Sequence, residues 1–404
     1  MRRARKGLGR SKRLTIAVAV TAVAIVAGGG SVLASQVLSN DNAWPYNDPG
    51  SAPVLAAVGD ISCQPGAPQG NEKPTDVCGL ASNGNPSTAA QNATAQQIEE
   101  MQPNLVAILG DEQYQNGYYS DFENSFDKYW GAFKFLQRPA PGNHEFYDNH
   151  GQPGVRGIGY FDYYNGIHHS TDGSEQEVTV TDPSTGAPTG ATQPQPQPNG
   201  QAGATGDGWY SYDLGHWHLI SLNVECSVEP GGCSTTGSWF ASETKWLAQD
   251  LSQDHSQCTL AYWHQPTFSS TASPFTSDSA EGQAADAWWK LLYQAHATLI
   301  LNGHDHVYTR FAPMDPAGNA DPQHGIREFI IGTGGEALDT LVDDATPGST
   351  PNVQAEADQY FGAMKLTLGQ GWYKWDYQSK MENPAAPAGT PSTYSDTGTG
   401  QCNQ

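Results

Sequence analysis

Four short apolar runs in this chain each end on a residue that can bind a cation. Ala52–Val58 (APVLAAV) runs into Gly59-Asp60, and Asn104–Leu109 (NLVAIL) into Gly110-Asp111. CTLAYW stops at His264, and ATLILN at Gly303-His304. Apolar runs of this length, bounded by glycine or polar residues, read as buried strands. In α/β sheets, ligand-binding loops gather at the carboxyl edge of the strands. Two carboxylates and two imidazoles delivered to one edge are a metal site in outline.

The segments between these runs set the fold class. Ser87–Met101 reads as a helix, and Ser120-Asp121-Phe122-Glu123 has the form of a capping box opening a helix through about Trp130. A further helix is predicted over Ser238–Gln253. Trp209–Asp213, His216–Asn223, Gly325–Gly332, Phe361–Leu368 and Trp372–Tyr377 read as β segments. Strands alternating with helices, followed by a β-rich end, predict a layered α/β domain. Nothing repeats at a fixed period.

Three local motifs extend the donor list. GDEQY places Tyr114 three residues after Asp111, PGNHE presents Asn143, His144 and Glu145 on a turn, and GHDH adds His306 beside His304. Each residue also has a plainer reading. Gly-Asp is a common turn, Asn often takes a left-handed turn position, and Tyr114 could be packing. Three histidines placed in the same chain order weigh against turns alone for Asp60 and Asp111. A second GHxH, Gly215-His216-Trp217-His218, begins a strand instead of ending one and reads as structural. His168-His169 borders a polar stretch and reads as solvated. Gly332-Thr333-Gly334-Gly335 has no following Lys-Ser/Thr and reads as a tight turn near the site. No GxSxG is present, so a serine-hydrolase elbow has no support.

The order GD, GDxxY, GNHE, H, GHxH from Asp60 to His306 resembles the calcineurin-like metallophosphoesterases, and within them the purple acid phosphatases. GDEQYQNG, WGAFKF, RPAPGNHEF, CTLAYWHQPTFSS and GHDHVYTRFAP carry the likeness, which covers roughly residues 52–380. The resemblance implies a four-layer α/β/β/α sandwich of two mixed sheets with a two-metal site at the sheet edge. It implies that Asp60, Asp111, Tyr114 and His306 bind one metal. Asn143, His264 and His304 would bind the other, with Asp111 bridging. Two carboxylates and a phenolate favour Fe(III), while an amide and two imidazoles suit divalent Zn, Mn or Fe. His144, oriented by Glu145 or by a backbone group, is expected to protonate the leaving oxygen. The expected reaction is hydrolysis of a small phosphorylated substrate, a monoester first and a diester or nucleotide as the alternative. Two departures bear on this. The loop after His264, QPTFSSTASPFTSDSAE, has no histidine, and Ser62 stands where the family usually has glycine. A binding protein that has lost catalysis is the rival they leave open.

Location and partners follow from composition. Arg2, Arg3, Arg5, Lys6, Arg10, Lys12 and Arg13 precede an apolar run ending at Ala34, the form of a leader over residues 1–34, cleaved or kept as an anchor. Residues 35–51 read as a linker. Without those seven cations the chain has 12 basic and 42 acidic residues. Such a surface repels polyanions, so no nucleic acid partner is expected, and no stable membrane association once the leader is removed. Six cysteines in an exported chain predict disulfides, and proximity pairs Cys63 with Cys78, Cys226 with Cys233 and Cys258 with Cys402, one of fifteen possible arrangements. Low-complexity residues 170–207 read as a surface insertion, and 381–404 as a flexible tail.

Overall fold

The computed structural model describes residues 51–403 apart from 65–77, 79–86, 148–155, 167, 170–174, 177–178, 182–187, 193–199, 230, 235–237, 272–279 and 343–349. The expected leader and linker, and most of the 170–207 insertion, lie outside the described residues.

The apolar runs are strands: β1 (Val54–Val58), β2 (Leu105–Leu109), β6 (Cys258–Tyr262) and β7 (Leu299–Asn302). Helix α1 (Ala89–Met101) joins β1 to β2 and ends where Gln102 turns left-handed before Pro103. The next helical stretch, Tyr119–Leu136, passes through α, π and 3-10 turns. It starts one residue before Ser120, with no side-chain cap at Tyr118, so the expected capping box does not form. Strand β3 (Gln137–Ala140), the single-turn helix α2 (Asn143–Phe146) and α3 (Ile158–Asn165) follow. Strands β4 (Tyr210–Leu214) and β5 (Trp217–Ser221) precede helix α4 (Ser238–Gln253), and α5 (Ala280–Gln294) lies between β6 and β7.

Strands β8 (Tyr308–Phe311), β9 (Arg327–Ile331), β10 (Val353–Ala357), β11 (Tyr360–Gly369), β12 (Trp372–Glu382) and β13 (Ser395–Gln401) complete two mixed sheets. One has the order β13-β12-β11-β1-β2-β3, the other β10-β8-β9-β7-β6-β5-β4. Strands β1, β2 and β3 run parallel in the first sheet, and β5, β6, β7 and β9 in the second.

The two-residue period of a strand sends alternate side chains to opposite faces, and here both faces are buried. Leu299 and Leu301 join Leu55, Leu219, Leu260, Phe329 and Leu366 in the core between the sheets. Ile300, Ala261, Ile220 and Ile330 face Phe240, Leu247, Trp288 and Leu292 of the helices outside the second sheet. The indole N–H of Trp217 donates to the carbonyl of Gly369 at 2.9 Å, which ties one sheet to the other. Each fully buried Leu or Ile stabilises by roughly 1.5–3 kcal/mol, so the double-sided strands are what hold the strand edge in place.

The end of the chain differs from expectation. Residues 395–401 are not a flexible tail but the edge strand β13, paired antiparallel with β12. Its TGTG segment lacks apolar side chains because aromatic rings from β12 cover it. A Cβ at Gly398 would lie 2.2 Å from Trp375, and one at Gly400 2.3 Å from Tyr373. Asp396 accepts from Arg310 at 2.7 Å and Tyr308 at 2.6 Å, and Cys402 is bonded to Cys258. The Cys63–Cys78 and Cys226–Cys233 bridges also form as proximity predicts.

Candidate metal centre

Five strands end along one edge, and the residues that follow them carry the donors. Asp60 follows β1, Asp111 β2, Asn143 and His144 β3, His264 β6, and His304 and His306 β7. The GTGGE turn after β9 closes the same edge, with the Glu336 N–H donating to the Asp60 carbonyl at 3.1 Å. Asp60, Asp111 and His304 all have positive φ, at 61°, 50° and 68°. Non-glycine residues rarely hold this conformation unless surrounding bonds impose it, and it clusters at functional sites. Here the Asp60 N–H donates to the Gly110 carbonyl, the Ile61 N–H to Asp111, and the Gly303 N–H to His264. Gly110 is required by contact as well as by its φ of 87°, since a Cβ there would sit 2.4 Å from His264 Nδ1.

Each aspartate divides its oxygens. Asp60 Oδ2 accepts from the His304 N–H at 2.9 Å, and Asp111 Oδ1 from the His144 N–H at 2.9 Å. The remaining oxygens face the centre. Tyr114 Oη lies 3.0 Å from Asp60 Oδ1, 2.9 Å from Asp111 Oδ2 and 3.2 Å from His306 Nε2. On the other side of Asp111 Oδ2, His264 Nε2 lies at 3.2 Å. Asn143 Oδ1 is 3.1 Å from that nitrogen and 3.2 Å from His304 Nδ1. The structure therefore gathers all seven expected donors into two sets that share one oxygen.

These sets suit cations. Four donors around a tetrahedral ion at about 2.0–2.1 Å would be roughly 3.3 Å apart, close to the spacing of Asp111, Asn143, His264 and His304. The tautomers agree as well. His264 Nδ1 hydrogen-bonds the Leu109 carbonyl at 2.8 Å and His306 Nδ1 the Ala337 carbonyl at 2.8 Å. Each Nε2 then turns a bare lone pair toward other lone pairs, an arrangement that a cation stabilises.

The electrostatics make the same point through protons. Burial opposes a charge on His264, yet Asp111 beside it pushes the imidazole up to about 10. Burial also opposes ionisation of Asp111, but His264 overrides it and holds the carboxyl far below its usual range. Protons and metals compete for one donor set. Burial first, then Asp111 and Asp60, raise the Tyr114 phenol well above its ordinary value, so its ionisation here calls for a strong Lewis acid.

His144 stands at the rim with 15% of its side chain exposed. Its Nδ1 is 2.7 Å from the Gln115 carbonyl and its Nε2 3.8 Å from Asp111 Oδ2. Of the two orienting groups expected, the backbone is the one used. Glu145 is bonded elsewhere, accepting from the N–H groups of Asp111, Gly142 and Gln113. Sequence reasoning did not find three other groups at the site. Tyr147 accepts from Asn143 Nδ2 at 3.0 Å, and Asp339 from the His306 N–H at 3.0 Å. Glu336 is buried, with burial raising its carboxyl well above the usual range and His306 opposing. Only Glu336, by following GTGG, carried any signal.

The second GHxH stays outside. His218 Nδ1 is 2.9 Å from Asp213 and Nε2 2.8 Å from Asp250, beside a cavity of about 610 Å³ at the amino ends of β5 and β6. The side chains of His168 and His169, expected to be solvated, lie outside what the structure describes.

Two mixed sheets with external helices and a strand-edge donor cluster define a metallophosphoesterase-type α/β protein. The family model for calcineurin-like phosphoesterases matches residues 54–308, and the chain belongs to that family. Purple acid phosphatase 15 of Arabidopsis thaliana is 25% identical over 174 residues, 41% of this chain and 29% of that protein. Purple acid phosphatase 23 of the same plant is 23% identical over 291 residues, 64% of this chain and 52% of that one. The matched region thus spans about half or less of these relatives. Among solved structures, yellow lupin purple acid phosphatase PPD1 superposes with a TM-score of 0.50 and 16% identity, covering 85% of this chain and 53% of that chain. PhoD superposes with a TM-score of 0.53 and 13% identity, covering 87% and 70%. Those two likenesses concern the fold.

Proposed function

We propose that this protein is an exported phosphatase that hydrolyses phosphate monoesters at a site holding two metal ions side by side. The observation that carries the reading is Asp111 Oδ2, which lies within 2.9 Å of Tyr114 Oη and 3.2 Å of His264 Nε2, joining the two donor sets. Asp60, Asp111, Tyr114 and His306 would hold Fe(III). Asn143, His264 and His304, with Asp111, would hold a divalent Zn, Mn or Fe ion. When bound, the ions would activate water and neutralise phosphate charge. The protein's part is to orient these groups. The Gln115 carbonyl fixes the His144 ring so that Nε2 faces the centre, where it can hold a proton for the leaving oxygen. Three disulfides support the exported location, and among the described residues no helix is long and apolar enough to cross a membrane.

The test is a paired rate assay with metals supplied, on a simple aryl phosphate monoester and the matching diester. A faster monoester reaction that Asp111→Asn reduces at least a thousandfold is the expected result. His144→Ala should slow alkyl monoesters, with poor leaving groups, more than aryl ones. A faster diester reaction would move the assignment to a phosphodiesterase. No turnover of either ester with both metals bound would overturn it in favour of a binding role.

A further inference from the structure

Asn143 supplies the one carboxamide in the shared-aspartate cluster. Its usefulness depends on which way it faces, because a cation takes Oδ1 and rejects the NH2. Once their nitrogens are bare, as cation binding requires, the two imidazoles on its inner side do not enforce that choice. A bare imidazole nitrogen accepts an amide N–H as readily as it shares a cation with an amide oxygen. Orientation has to come from the other end of the group.

That end meets Tyr147. Asn143 Nδ2 donates to Tyr147 Oη at 3.0 Å, and no other partner of Nδ2 exists among the described residues. Tyr147 is itself fixed. Its backbone N–H donates to the Asn143 carbonyl at 3.0 Å, closing the turn of α2, and its ring centroid lies 4.9 Å from that of His144. The residue is 46% exposed, so burial of an apolar side chain does not explain its placement.

We infer that Tyr147 is a positioning residue for the metal centre: its hydroxyl holds the Asn143 amide with Oδ1 toward His264 and His304. The inference rests on the donor sets proposed above. Outer partners of metal ligands typically change metal affinity by about 10–100-fold when removed. Tyr147→Phe removes the hydroxyl and keeps the ring, so it should weaken one of two metal-binding steps at least tenfold and leave the other unchanged.

The experiment is titration of the metal-free full-length protein with Zn(II) against a chromophoric chelator, which resolves the two steps without any substrate. It is run on the wild type, Tyr147→Phe, Asn143→Ala, Asn143→Asp and the Asn143→Asp/Tyr147→Phe double variant. A carboxylate offers an oxygen in either orientation. In the Asn143→Asp background the loss of the hydroxyl should therefore cost less than threefold. This rescue separates orientation from general loosening of α2, which would weaken both backgrounds alike. Unchanged Zn(II) binding in Tyr147→Phe, with one step lost in Asn143→Ala, overturns the inference and leaves the donor sets standing. Two unchanged steps in Asn143→Ala would instead remove the donor-set reading, and the inference with it. An equal loss in the asparagine and aspartate backgrounds also overturns the orienting role.

Discussion

Neither oxygen of Glu145 joins the donor cluster beside it. Both accept backbone N–H groups, from Asp111 and Gly142 on Oε2 and from Gln113 on Oε1. One buried carboxylate therefore fastens the loop after β2 to the loop after β3, the two loops that supply Asp111, Asn143 and His144. Burial and Asp111 raise its carboxyl to about 7, against the pull of the Gln113 and Gly142 N–H bonds. Truncating it leaves three N–H groups without an acceptor in a dry site, where each orphaned group costs about 1–3 kcal/mol. Glu145→Ala should lower unfolding stability by at least ~3 kcal/mol, read from urea denaturation of the metal-free protein. A loss below ~1 kcal/mol would show that water reaches these amides and that the fastening is not needed.

Among elements, the clamp at His218 ties β4, β5 and α4 together at the edge opposite the metal centre. Asp213 on β4 and Asp250 on α4 each take one ring nitrogen, and Ser211 of β4 donates to the same Asp250. Burial disfavours the imidazolium, but the bonds to Asp250 and Asp213, with Asp254 nearby, raise it from 6.5 to about 9. A group whose folded value lies above its unfolded one stabilises fully below the unfolded value and loses that contribution as pH climbs through the folded value. The clamp's contribution should therefore be complete below pH 6.5 and fade up to about pH 9. Solvent reaches the pair, which keeps the effect modest. Thermal melts of the wild type and His218→Gln should differ most near pH 6 and converge above pH 9. Parallel curves across that range would rule the clamp out. The sequence reading of this GHxH as structural agrees with its place at the start of β5.

For the whole molecule, the last residues matter more than their composition suggests. Cys402 is bonded to Cys258 at the start of β6, across 144 residues of chain, so one covalent link joins the edge of the first sheet to the middle of the second. Losing a native disulfide typically costs about 2–5 kcal/mol. Cys402→Ser should lower the Tm by several degrees and leave Zn(II) titration of the centre nearly unchanged, because the donors lie at the far ends of the strands. Loss of metal binding in that variant would mean that the sheet-to-sheet tie also holds the site. A chain ending after Glu382 should lose more than Cys402→Ser, since it also loses the β13 ladder and the Arg310–Asp396 pair.

Much of this protein could be read from residue order alone. Apolar runs of six or seven residues with donors just past them announce strands and a shared edge, because side-chain chemistry and its period are local properties. Strand-end placement pointed to Asp60, Asp111, His264 and His304, the family resemblance implied Tyr114, Asn143 and His306 beside them, and proximity paired the six cysteines. What tertiary structure decided is which way each group faces. Every residue offers a carbonyl and most an N–H, so nothing in the sequence marks Gln115 as the acceptor for His144 or three particular amides as the partners of Glu145. The same holds for Tyr147 on Asn143, a contact four residues apart that exists only because α2 closes one turn. The end of the chain escaped the reading for a related reason. A segment such as TGTG has no apolar pattern of its own, and becomes a strand only when Tyr373 and Trp375 lie over its glycines and a neighbouring backbone completes its hydrogen bonds.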